Sequence, residues 1–237
     1  MGWDDWHAGI ADSDAAGLLA RHALGLPPGF PTNSLLPWAG IADVFLALRL
    51  APGFLVVDVA CGRGGYGLEI ARRVGARLAG LDLSMVAVRA ARSSGGHFFV
   101  GDYTAAGLRD GCADAVVCVD AMQFADPPLA GLRECHRILR PGGRIAVTAW
   151  EAIDPADERL PERTRRMNLA RDLPAAGFGQ VSVTEKPQWL RAERTLWETA
   201  AAADPTGDPG LSSLHDEAIG ALAVFDAKRR VLAAAVA

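Results

Sequence analysis

From residue 54 onward, short unbroken apolar runs alternate with stretches in which apolar positions recur every three or four residues. The run "FLVVDV" (54–59) has the length of a buried strand, and "GLEIARRVG" then sets Leu68, Ala71 and Val74 at helical spacing. "RLAGLD" (77–82), "HFFVGD" (97–102) and "DAVVCVD" (114–120) predict three further strands. A helix over "SMVAVRAARSS" follows the first of these, with Ser84 as its N-cap. Another helix carries Leu129, Leu132, Cys135 and Leu139 on one face, closes at "RPGG" and gives way to the strand "GRIAVTAW" (143–150). "LARDLPAAGFGQVSVTE" reads as helix, turn and strand, and "KRRVLAAAVA" as a last strand. Such alternation implies an α/β fold with a largely parallel sheet covered on both faces.

Two stretches fall outside this rhythm. Residues 1–50 hold Trp3, Trp6, Phe30 and Trp38 around the turn-rich "GLPPGFPTNSLLPW", followed by the apolar helix "AGIADVFLALRL". Residues 187–226 show helical patterns broken by "DPTGDPG". The predicted layout is an N-terminal helical cap at 1–50 and a main domain at 51–237 with a helical cap insertion at about 187–226. Both caps are expected over the carboxyl ends of the strands, where open α/β sheets bind ligands.

Composition narrows the function classes. A chain of 237 residues with 50% hydrophobic residues buries a large core, and the net charge of −4 with only two lysines, Lys186 and Lys228, leaves no basic stripe for a phosphate backbone. Nucleic acid is therefore not an expected partner. No apolar run approaches the roughly 20 residues that span a bilayer, and the N-terminus lacks a basic, then apolar leader pattern, so a cytoplasmic location is expected. The cysteines at 61, 112, 118 and 135 form no C-x-x-C pair and read as reduced packing residues. No metal-ligand spacing is present.

The sharpest motif is "ACGRGGYGLEIARR" (60–73), where Gly62, Gly64 and Gly67 stand as G-x-G-x-x-G. This spacing suits a dinucleotide, yet Asp58 lies four positions before Gly62 and would repel a pyrophosphate. A unit charge pair about 4 Å apart is worth about 4 kcal/mol at an effective dielectric of about 20, so sign decides. A cationic ligand is favoured, and S-adenosylmethionine carries an ammonium and a sulfonium. Asp82, 20 residues after Gly62, is placed to accept hydrogen bonds from ribose hydroxyls, a role it would also have with NAD. Asp102 ends the third predicted strand, where it could meet an adenine amino group, with Tyr103 packing on the ring.

In order and spacing, "VVDVACGRGGYG", "GLDLS", "GDYTAAGL", "DAVVCVDAMQF" and "LRPGGRIAVTAW" resemble the successive motifs of class I S-adenosylmethionine-dependent methyltransferases, over residues 54–150. The small-molecule branch, with ubiquinone-type and natural-product enzymes, is the nearest in pattern. The resemblance implies a Rossmann-like, doubly wound seven-stranded sheet of order 3-2-1-4-5-7-6 with the last strand antiparallel. It implies S-adenosylmethionine as cofactor, with Asp58, Ala60, Gly62 and Gly64 at the methionine part, Asp82 and Leu83 at the ribose and beside it, Asp102 and Tyr103 at the adenine, and Asp120 completing the cofactor set. Ala60 stands where the family has the first glycine of its loop, and Arg63 where a small hydroxylic residue is common.

Methyl transfer needs a nucleophile held in line and water kept out, an orientation worth about 7–11 kcal/mol. A general base, if used, would come from the caps or from strand ends four and five: His7, Asp120, Glu151 or His215, with His7 the preferred candidate because its ordinary pKa suits proton removal near neutrality. Gln123 cannot be a base but can orient an acceptor. Trp6, Trp38, Gln123 and Glu151 are the expected pocket residues, and His97 and His136 read as structural. The predicted function is methyl transfer to an O, N or C atom of a small aromatic or polycyclic metabolite, with a homodimer left open. One alternative is a protein of this fold that keeps the cofactor structurally while catalysing another reaction such as cyclisation. A second, disfavoured by Asp58, is an NAD-dependent oxidoreductase.

Overall fold

The structure is a computed structural model that describes residues 3–4 and 13–237. Its strands are β1 (Leu55–Val59), β2 (Arg77–Asp82), β3 (His97–Val100), β4 (Ala113–Val119), β5 (Leu139–Ala152), β6 (Gly179–Glu185) and β7 (Lys228–Val236). They form one sheet in the order β3-β2-β1-β4-β5-β7-β6. The strands β1 to β5 run parallel, and β7 lies antiparallel between β5 and β6. Val56 to Val59 of the central β1 are all buried, as expected for a strand covered on both faces. Chain order reverses between β1 and β4, which makes their carboxyl ends the crevice of the fold.

The helices divide between the two faces and one end. On one face α2 (Gly40–Leu48), α3 (Gly65–Arg72) and α4 (Met85–Ser93) pack against Val56, Val117 and Ala146. On the other, α5 (Pro128–Ile138) and α7 (Leu169–Ala175) cover Val57, Val116 and Val147. A short α6 (Glu162–Arg166) precedes α7. Ser84 caps α4 by accepting the Ala87 amide at 3.1 Å, the arrangement its sequence position predicts. One boundary departs from expectation. Leu139 does not lie on the α5 face but is already extended, and β5 runs through "RPGG" with a register shift between Ala113 and Ala115 of β4. The glycines accommodate an irregularity inside the strand rather than a separating turn.

The two cap segments pack on each other. Leu19, Ala20 and Ala23 of α1 (Asp14–Leu24) meet Leu196, Trp197 and Ala200 of α8 (Pro187–Ala202) and Ala218 of α9 (Pro209–Ala223). Ser13, the N-cap of α1, donates to Asp208, the N-cap of α9, at 2.8 Å, so one pair of side chains closes both helix starts. Among the described residues no helix is long and apolar enough to cross a membrane.

Three buried charges, Asp120, Glu193 and Arg230, and the half-buried Lys228 meet where the caps reach the strand ends. Arg230 of β7, fully buried, donates to Asp120 at 2.7 Å and to Glu193 of α8 at 3.2 Å, while its guanidinium lies 4.0 Å from the Trp150 ring centroid. Glu193 also accepts from Lys228 at 2.8 Å, from Trp150 at 2.8 Å and from Trp197 at 3.1 Å. Burial pushes the Glu193 carboxyl up, but Arg230 and Lys228 outweigh it and hold the group below its ordinary value. Two acids and two bases make the cluster neutral, which is the condition for keeping it out of water. Replacing Glu193 by Leu would leave Arg230 and Lys228 without this counter-charge. Urea denaturation of Glu193→Leu is expected to show a loss of about 3–5 kcal/mol, with the Trp150 and Trp197 indoles also losing their acceptor.

Candidate active site

At the carboxyl end of β1 the chain must turn sharply onto α3, and the residues there supply the backbone freedom. Gly62 (φ 52°) and Gly64 (φ 81°) adopt the left-handed region that glycine enters without penalty. Ala60 does the same at φ 55°, with a Cβ in place. Gly67 matters for space rather than for φ. A Cβ there would overlap the Asp58 carboxylate, so its absence lets the start of α3 reach Asp58 and donate a backbone N–H to it. Asp82 closes the loop from the next strand, accepting from Gly62 N–H at 2.8 Å and from Ser84 N–H at 2.9 Å. A carboxylate offers about four acceptor positions, so two of those on Asp82 stay available.

Asp58 and Asp82 are both buried, at 2% and 8% exposure. Desolvation, followed by the neighbouring Asp82 charge, pushes the Asp58 carboxyl up to about 8, against the smaller opposing effect of the Gly67 N–H. Asp58 is thus largely protonated at neutral pH until a cation sits beside it. Burial and the same two carboxylates push the Cys61 thiol up as well, which keeps it neutral and unreactive. The donor set consists of flexible backbone amides, a neutral acid ready to ionise and a carboxylate with free acceptor positions. It fits a ligand that carries a cation and hydroxyls, and it opposes a pyrophosphate.

The other cofactor candidates are placed unevenly. Leu83 stands exposed beside Asp82 and offers an apolar surface there. Asp102 lies past the end of β3 and accepts from the amide and the hydroxyl of Thr104, both at 2.8 Å, in a tight turn. Tyr103 is buried. It fills the core between the sheet and α5, its ring against Gly131 and its hydroxyl donating to the Ala121 carbonyl at 3.1 Å. The turn at Asp102 sends the next side chain inward, where a large apolar ring is worth more buried than exposed.

Residues expected at the acceptor side prove mostly engaged. Asp120 follows β4 in the left-handed region (φ 58°) and accepts from Thr148 Oγ1, Arg230 and the Leu35 amide. Glu151 accepts the Leu169 amide at 2.7 Å and Arg229 at 2.9 Å, so it closes the start of α7 rather than facing a pocket. Trp38 lies over the outer side of α3, stacked edge-on with Phe30 and beneath Arg73. Gln123 is buried in the short 3-10 turn after β4, where Nε2 donates to the Asp120 carbonyl at 2.7 Å and Oε1 has no partner. His215 lies on α9 beside Asp216, His97 opens β3 and His136 packs edge-on against Phe178. His7 and Trp6 lie outside the described residues.

Two features of the site were not legible in the sequence. Asp4 accepts from Ser84 Oγ at 2.6 Å and from Val86 N–H at 3.1 Å, while Trp3 meets the Phe124 ring edge-on at 5.0 Å. These contacts fall after β2 and after β4, on either side of β1, so the two residues cross the mouth of the glycine loop. The second is the strap Phe30–Leu36, whose Pro31 carbonyl rests on Gly65 and whose Leu36 carbonyl accepts from the Tyr66 hydroxyl. "GLPPGFPTNSLLPW" has no periodicity to announce either role, though its prolines and glycines mark it as irregular chain.

With the sheet order and this loop established, comparison with known proteins is decisive at the domain level. Residues 57–147 match the family model described as a methyltransferase domain. The matched segment is similar to methyltransferase domains in sequence, and its sheet order and glycine loop agree with that fold. The sterol 24-C-methyltransferase of Yarrowia lipolytica is 36% identical over 133 residues, which cover 50% of this chain and 34% of that protein. The chain therefore spans about a third of the length of that relative. Among solved structures, Haemonchus contortus phosphoethanolamine N-methyltransferase 2, in complex with phosphomonomethylethanolamine and S-adenosylhomocysteine, superimposes with a TM-score of 0.78 at 17% identity. That match covers 100% of this chain and 60% of the other. The [4+2]-cyclase SpnF matches with a TM-score of 0.71 at 20% identity, over 93% of this chain and 92% of its own. At such identities the structural matches establish the fold.

The domain has two tunable positions at its loop. Ala60 holds a left-handed conformation that disfavours a Cβ, so Ala60→Gly is expected to raise stability by about 0.5–1 kcal/mol in chemical denaturation. Asp58 binds a proton more readily folded than unfolded, so its contribution to stability falls as pH rises from about 4 to about 8 and is flat above. The ligand-free Asp58→Asn protein should therefore exceed the parent by about 1–3 kcal/mol at pH 7 and converge with it near pH 4. Thermal unfolding across this range measures both arms.

Proposed function

We propose that the chain is an S-adenosylmethionine-dependent methyltransferase acting on a small-molecule acceptor by in-line displacement. The observation that carries this reading is the pair of buried carboxylates, Asp58 and Asp82, on either side of a G-x-G-x-x-G loop at the carboxyl end of β1. The cofactor supplies a methyl group already activated by a sulfonium. Asp58 then serves as counter-charge to the cationic methionine part, giving up its proton as it does so. Asp82 accepts from the ribose hydroxyls through its two remaining acceptor positions, and Leu83 offers an apolar face beside it. The caps hold the acceptor and exclude water, and the apolar rings of Trp3 and Phe124 at the mouth suit an aromatic or polycyclic acceptor.

The charges near strand ends four and five are neutralised within the protein: Asp120 and Glu193 by Arg230 and Lys228, Glu151 by Arg229. This favours an uncharged acceptor, with Asp120 and Glu151 both engaged by partners inside the protein. His7 is the base in this reading where one is needed. The cyclase match favours a second reading, in which the cofactor is retained as structure while another reaction proceeds; release of S-adenosylhomocysteine on turnover separates the two.

Calorimetry with S-adenosylmethionine, S-adenosylhomocysteine and NAD tests the cofactor. Binding of the two sulfur compounds is expected, and binding of NAD alone would overturn the assignment. Asp82→Ala should weaken S-adenosylhomocysteine by about 100-fold, corresponding to two charge-assisted hydrogen bonds together worth about 3 kcal/mol, while Glu69→Ala on the surface of α3 should leave affinity unchanged.

A further inference from the structure

The strap Phe30–Leu36 joins α1 to α2 without helix or strand of its own, yet it is held at a defined place. Its Pro31 carbonyl sits where a Cβ on Gly65 would be, directly on the first residue of α3. Two side chains secure its far end: Tyr66 of α3 donates to the Leu36 carbonyl, and Asp120 accepts the Leu35 amide at 3.0 Å. The Leu36 side chain is fully buried against the core that contains Val56 and Trp189. Together these contacts draw irregular chain over the helix start that follows the glycine loop.

Asp120 is the unusual member of this set. It occupies a left-handed backbone position after β4, at some cost for a non-glycine residue, and its carboxylate is divided between two duties. Oδ1 accepts from Thr148 Oγ1 at 2.6 Å and from Arg230 at 2.7 Å, while Oδ2 faces the strap. Arg230 is fixed in turn by Glu193 and by the Trp150 ring, so the carboxylate has little freedom to turn away. Leu35 thus hangs from a buried ion pair rather than from a mobile surface group.

We propose that Asp120 is a positioning residue that holds the strap over the glycine loop and thereby sets how long the cofactor stays bound, without touching it. The proposal rests on the reading that this loop binds S-adenosylmethionine. A ligand on the loop abuts the helix start on which the strap rests, so in this proposal its release requires the strap to lift, and the Leu35–Asp120 hydrogen bond opens first. Holding a closed state affects departure more than arrival, which places the effect in the dissociation rate.

The test uses S-adenosylhomocysteine and the full chain. In Asp120→Asn the dissociation rate, followed by stopped-flow tryptophan fluorescence, is expected to rise about tenfold or more with association within about threefold of the parent. Exchange of the Leu35 amide should accelerate, while that of Val116 in β4 stays unchanged. Leu35→Pro removes the donor and leaves the Asp120–Arg230 pair intact, so it should reproduce the faster dissociation even if Asp120→Asn folds poorly. Unchanged dissociation in both variants, or unchanged Leu35 exchange in Asp120→Asn, overturns the proposal. Failure of the parent chain to bind S-adenosylhomocysteine overturns it through the cofactor reading, and that result is distinguishable because it appears before any substitution is made.

Discussion

The burial of two like-charged groups, Asp58 and Asp82, beside one glycine loop is the constraint to which the rest of the site answers. Each is tolerated because backbone amides reach it: Gly67 for Asp58, Gly62 and Ser84 for Asp82. That reach depends in turn on Gly67 lacking a Cβ and on left-handed turns at Ala60, Gly62 and Gly64. The arrangement still leaves Asp58 in an unfavourable electrostatic position, neutralised by a proton until a cation arrives. Strongly perturbed buried groups of this kind cluster at functional sites, which is the ground for proposing a cationic ligand here.

The acceptor side solves the opposite problem. There four charges from β4, β7 and α8 cancel within a few ångströms, and indoles fill the space around them. The cluster joins the C-terminal cap to the sheet, and through Asp120 it joins the N-terminal strap to the same framework. This end of the sheet is consequently polar in composition with its charges set against one another. A largely buried, charge-paired network of this kind gives positional specificity more than net stability.

Much of the architecture was legible before any coordinates. Apolar runs of strand length alternating with helical spacing located all seven strands, and the Gly62, Gly64, Gly67 spacing marked the tight turn onto α3. These are local signals: a strand buried on both faces needs a continuous apolar run, and a tight turn onto a helix needs residues that accept positive φ. The sign of the Asp58 charge and the scarcity of lysine were likewise properties of composition alone. The expectation that all of residues 1–50 would cap the strand ends does not extend to α2, which packs on one face of the sheet against Val56, Val117 and Ala146.

What only the tertiary structure decided is where polar side chains place their hydrogen bonds. The sequence offers Asp120 and Tyr103 beside Asp82 as cofactor candidates, and Asp120 and Glu151 as candidate bases. The fold gives Asp120 to Arg230 and Leu35, Glu151 to Leu169 and Arg229, and Tyr103 to the core. Their partners lie 18 to 110 positions away along the chain, and no periodicity encodes such pairings. The same holds for Asp4 on Ser84, joined across the first βα unit, and for the strap over Gly65, joined across α2 and β1. Local spacing determines which residues can reach the carboxyl ends of the strands, because it determines the strands; burial and charge pairing across the assembled sheet then determine which of them are left free to act.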